Sequence, residues 1–134
     1  MAARAVIIHS IDQARAALAA ATRLNRPIAL YSAEGAAAYA GGAWFMAMVT
    51  AARADYPNAQ CEAVLDCGDH PGLALAALRQ GCRTIVLRSS PARRKIAAIA
   101  SARSARLDPG AKEALDLRHC RDPESAVMSW LGRS

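Results

Sequence analysis

Aromatic residues are scarce in this chain, with two Trp, three Tyr and one Phe among 134 residues. A stacking platform for single-stranded nucleic acid needs aromatics interleaved with positive charge, so that function is disfavoured. Lysine is scarcer still, 2 against 15 arginines, and the arginines are scattered, with Arg93-Arg94-Lys95 as their one run. A formal charge of +6 without a cluster reads as solvated surface rather than a nucleic-acid footprint. No stretch approaches the roughly 20 continuous apolar residues of a membrane span. The opening Met1 to His9 segment turns polar too soon for a secretory signal, so a cytoplasmic protein with no membrane partner is expected. The four cysteines form no C-x-x-C pair, which argues against a disulfide scaffold and a zinc site. The histidines lack H-x-x-x-H or H-x-H spacing, and no metal site is predicted. Neither Glu34-Gly35 nor Gly41-Gly42 fits a dinucleotide or nucleoside triphosphate motif. No cofactor is implied.

What is present is apolar substance: 54% hydrophobic residues, 34 of them alanine, enough to bury a core within one domain spanning residues 1–134. Five apolar strand candidates recur, at Ala5 to His9, Pro27 to Tyr31, Cys61 to Asp66, Thr84 to Arg88 and Ala114 to Arg118. Helical patterns separate them. This (βα)5 alternation predicts the α/β class, a three-layer sandwich with a mainly parallel five-stranded sheet, flavodoxin-like or similar. Strand orders 2-1-3-4-5 and 3-2-1-4-5 both satisfy the right-handed crossover rule.

Helix ends are well marked. Ser10 and Gln13 form a capping box, and Asn25 is a stop. Asp69 or His70 caps a helix with Pro71 in its first turn, closed by Gly81. The next helix is expected to bury Ile96, Ile99 and Ala100. Asp108-Pro109-Gly110 reads as a turn. Asp122 and Pro123 start a final helix anchored by Val127, Trp130 and Leu131.

About twenty-nine residues separate Tyr31 from Cys61, more than a short crossover needs. Within them, after Gly41-Gly42, Trp44, Phe45, Met46, Met48 and Val49 are apolar around more than one helical face, and Tyr39, Trp44, Phe45 and Met48 are the interface candidates of this Tyr39 to Val49 surface. Such a helix is sandwiched in the core or covered by another subunit. A homodimer, working as a non-catalytic interaction or regulatory module, is one reading of this surface.

Chemistry concentrates at Ala63 to Gly72, where an apolar strand stops at Asp66, Cys67, Asp69 and His70. All three histidines, His9, His70 and His119, fall at or just past a predicted strand's carboxyl end, where open α/β sheets place their ligands. Asp69 and Asp122 suit helix caps. Asp66 does not, since a carboxylate closing an apolar strand must be bonded, paired or solvated in a cleft. Ser89, Ser90 and Arg93 lie at a helix start, apt for an anion. No specific reaction follows. The favoured reading is a small polar or anionic ligand at the strand ends, oriented by Asp66, Asp69 and His70 and held through Ser89, Ser90 and Arg93. An acid/base enzyme using Asp66 and His70 is an alternative.

Val64-Leu65-Asp66, with Ser89 after Ile85-Val86-Leu87, locally resembles the receiver domains of two-component signalling. The resemblance implies a phosphoryl-accepting aspartate at Asp66. The chain departs from that pattern at His9-Ser10, where an acidic pair is expected, and at Arg118-His119, where Lys-Pro is expected. The family is not adopted.

Overall fold

The computed structural model describes residues 3–38 and 40–132. Strands and helices alternate as β1 (Arg4–Ile7), α1 (Ile11–Leu24), β2 (Ile28–Tyr31), α2 (Gly42–Asp55), β3 (Cys61–Asp66), α3 (Pro71–Arg79), β4 (Thr84–Val86) and α4 (Arg93–Ala102). They continue as β5 (Arg106–Asp108), β6 (Ala114–Asp116) and α5 (Pro123–Leu131), and a 3-10 turn (Ala36–Ala38) precedes α2. The fold is α/β with parallel strands, as expected, but with six strands rather than five. Two compact units divide the chain: Met1–Tyr31, Ala47–Glu62 and Ala111–Ser134 form the first, and Ser32–Met46 and Ala63–Gly110 the second.

In the first unit β1 lies between β2 and β6, parallel to both, with Ala5 opposite Ala29 and Ala114. Both expected strand orders would set β1 beside the third or fourth strand, so neither holds. The core is Val6, Leu18, Ile28, Leu30, Leu117, Val127 and Leu131, all buried. Helix α1 presents Ala14, Ala17, Ala20 and Ala21 inward; such small side chains let it pack closely against α5. Ser10 Oγ accepts from Gln13 N at 3.2 Å. The reciprocal arm of the capping box lands one residue early, with Gln13 Oε1 accepting from His9 N at 2.7 Å. Asn25 ends α1 in the left-handed region at φ 51°. On α5, Trp130 Nε1 donates to the Ala5 carbonyl at 3.1 Å, and the Arg4 guanidinium stacks 4.0 Å from the ring centroid.

In the second unit β4 lies between β3 and β5, again parallel, with Leu65 opposite Ile85 and Ile85 opposite Leu107. Its core gathers Phe45, Val64, Leu65, Leu78, Ile85, Leu87 and Ile96. Gly42 opens α2 where a Cβ would stand 2.6 Å from Gln80 Oε1 and 3.1 Å from Cys82 Sγ, so this glycine serves close packing, whereas Gly41 before it supplies a turn at φ 79°. Ile99, expected inside, is 41% exposed. The ten-residue α4 turns only Ile96 and Ala100, one turn apart, into the core.

The apolar breadth of α2 is largely absorbed within the chain. Phe45 and Met48, expected at a partner surface, are buried, whereas Trp44 is 48% exposed. Tyr39 lies outside the described residues.

Candidate functional site

Asp66 closes β3 and is buried. Its Oδ1 accepts from Gly35 N at 3.1 Å, Gly68 N at 2.8 Å and Arg88 Nη1 at 2.7 Å, while its own amide donates to Ser32 Oγ at 2.8 Å. One carboxylate thus joins the segments that follow β2, β3 and β4. Both glycines hold φ above +60°, a region L side chains rarely adopt, and this turns their amides onto the oxygen. Arg88 also donates its backbone amide to Gly68 O at 2.7 Å. The Asp66 hydrogen bond raises the Arg88 pKa against the opposing effect of desolvation, with the Asp66 and Glu34 charges adding to the rise.

A cavity of about 360 Å³ opens above this anchor, lined by Glu34, Gly35, Ala38, Gly68, Asp69, His70, Arg88 and Ser89. His70 Nε2 stands 3.5 Å from Asp69 Oδ1, with both side chains well exposed. His70 is the N-cap of α3 without a side-chain cap bond, so neither it nor Asp69 serves as the side-chain cap expected there.

Among the expected site residues, Asp66, Asp69, His70 and Ser89 come together here. Ser90 and Arg93 do not line the cavity: Ser90 Oγ accepts from Ala92 N at 3.2 Å, and Arg93 Nε donates to Leu87 O at 3.0 Å, tying the loop to its own strand and helix. His9 belongs to the first unit, where its Nε2 lies 2.6 Å from Asp116 Oδ1. His119 sits exposed in the turn after β6 at φ 62°.

No family model matches the chain, and no curated protein matches it. Solved structures do. Among 42 matching chains is a provisionally assigned fructose-1,6-biphosphate aldolase from Coccidioides immitis, 18% identical, with a TM-score of 0.63 over 98% of this chain and 53% of that one. This chain therefore spans about half the length of the structure it matches, and at that identity the likeness shows the α/β fold alone.

Arg88 and Glu34 are the charged lining residues outside the expected ligand-binding set, which also lacks Gly35, Ala38 and Gly68. Arg88 closes a predicted strand and opens the anion-apt loop that continues through Ser89 and Ser90, and nothing in the sequence shows that it meets Asp66. Its link to Asp66 depends on the β3–β4 register, which sets Asp66 opposite Val86 and leaves Arg88 two residues further along. Cys67, three residues before His70, is buried, and desolvation, with Cys82 and Asp66 adding to it, pushes its thiol up to about 12. A thiolate nucleophile at this position is unfavourable. Among the described residues no three His, Cys, Asp or Glu side chains group as metal ligands, and no helix is long and apolar enough to cross a membrane.

Proposed function

We propose that this protein binds a small polar ligand bearing an acid group in the cavity above Asp66, with Arg88 as the recognising residue. The observation that carries this reading is Arg88 on the cavity wall, held from behind by the buried Asp66 at 2.7 Å. The guanidinium is pinned through one Nη1 and is 42% exposed; it has five N–H donors in a planar fork suited to carboxylate or phosphate. Ser89 adds a hydroxyl beside it. The volume of about 360 Å³ falls at the lower end of the range for ligand pockets, which favours a metabolite-sized molecule. The sugar phosphate in the neighbour's description makes that class a natural probe.

Binding is favoured over acid/base catalysis because Asp66 is held by three donors and shielded from solvent, a poor position from which to exchange a proton with substrate. Neither Lys95 nor Lys112 lines the cavity. The homodimeric interaction module loses the support of Phe45 and Met48, which lie inside the protein.

The test is an NMR titration of the ¹⁵N-labelled protein with glucose 6-phosphate. The amides of Gly35, Gly68 and Ser89 should shift together, and Arg88→Ala should weaken binding about tenfold or more, the effect of losing a hydrogen bond to a charged group. Undisturbed rim amides, or unchanged affinity in the variant, would overturn the reading.

A further inference from the structure

The charge balance of the cavity narrows its ligand further. Asp66 lies 2.7 Å from the Arg88 guanidinium and offsets its charge. An acid group arriving at Arg88 therefore meets directional donors with little net positive field behind them. The wall adds two more carboxylates, Glu34 and Asp69, both on exposed residues, and Asp69 is met by His70 at 3.5 Å. A purely anionic ligand would stand beside Glu34 and Asp69 uncompensated. A protonated amine within the same small molecule would pair with them while the acid group reached Arg88.

We propose that the cavity is specific for a small organic acid or phosphate that also carries a protonated amine, with Arg88 receiving the acid group and Glu34 and Asp69 the ammonium. This rests on the binding reading above and goes beyond it in naming the ligand class. Both carboxylates are on exposed residues, so substituting them leaves the core and the Asp66 anchor intact.

Glucosamine 6-phosphate and glucose 6-phosphate differ in one ammonium for one hydroxyl, and calorimetric titration of both against the same protein isolates that group. The amino sugar should bind about tenfold more tightly, the value of one charged hydrogen bond in a partly desolvated site. Glu34→Gln combined with Asp69→Asn should abolish the preference, lowering the affinity for glucosamine 6-phosphate to that for glucose 6-phosphate. Equal affinities that both fall in Arg88→Ala, or a preference that survives the double variant, overturn the amine assignment and leave the site standing. Absence of Arg88-dependent binding by either sugar at millimolar concentration overturns both.

Discussion

Asp66 shows how one residue can be legible in a sequence while its role is not. An apolar run ending in a carboxylate demands a partner, and that demand is visible in Val64-Leu65-Asp66. The partner is not, because Arg88 is brought to it by the pairing of parallel strands, and the two glycine amides by turns with positive φ. The pair also makes an energetic asymmetry testable. Asp66→Ala leaves two turned amides and a guanidinium without their common acceptor, and should cost about 2–3 kcal/mol in urea unfolding. Arg88→Ala should cost under about 1 kcal/mol, because the guanidinium is 42% exposed and the carboxylate keeps Gly35 and Gly68. If the arginine variant is the less stable one, Asp66 is not the anchor of these loops.

At the scale of elements, β1 to β4 and β6 follow from apolar runs bounded by polar residues: β3 keeps its expected ends, β1 starts one residue early and stops two short, and β2, β4 and β6 are trimmed by one or two positions. Strand β5 was not legible: Arg106-Leu107-Asp108 has one apolar residue, runs into Pro109-Gly110 and pairs only with β4. Its Asp108 accepts from Arg106 Nη1 at 3.2 Å and Gly110 N at 3.0 Å, so the residues that read as a turn also finish a strand. In the first unit β6 is tied to β1 through Asp116, whose Oδ1 lies 2.6 Å from His9 Nε2 just past β1. Burial works against its ionisation, but the Arg118 amide and His9 outweigh that and hold its carboxyl below the usual value of 3.8. An unfolded Asp takes up its proton first as the solution is acidified, so this stabilisation is complete above the ordinary carboxylate range and vanishes as pH falls through the lowered folded value. Asp116→Asn should therefore lower stability near neutrality by no more than about 1 kcal/mol, since the group is half exposed. The difference from the parent should shrink as pH drops below 3.8; an offset between the two denaturation curves that holds constant down to pH 2 would contradict the assignment.

For the molecule as a whole, the sequence carries +6 and a pI near 9.7, a field that draws in polyanions without selecting among them. The ligand site works on a different footing, because Arg88 lies within hydrogen-bond distance of Asp66 and its wall is acidic. Salt separates the two. Diffuse attraction is screened beyond about 8 Å at physiological ionic strength, and DNA binding through scattered arginines should fall steeply between 50 and 200 mM NaCl, by about tenfold or more. Arg88-dependent binding of glucosamine 6-phosphate should change by less than about threefold across the same range, since its contacts are short and direct and the amino sugar carries both signs of charge. Fluorescence anisotropy of a labelled duplex and calorimetry with the amino sugar, run in the same buffers, measure both. A duplex that stays bound at 200 mM salt would mean that the arginines, dispersed in sequence, assemble into a nucleic-acid surface on folding.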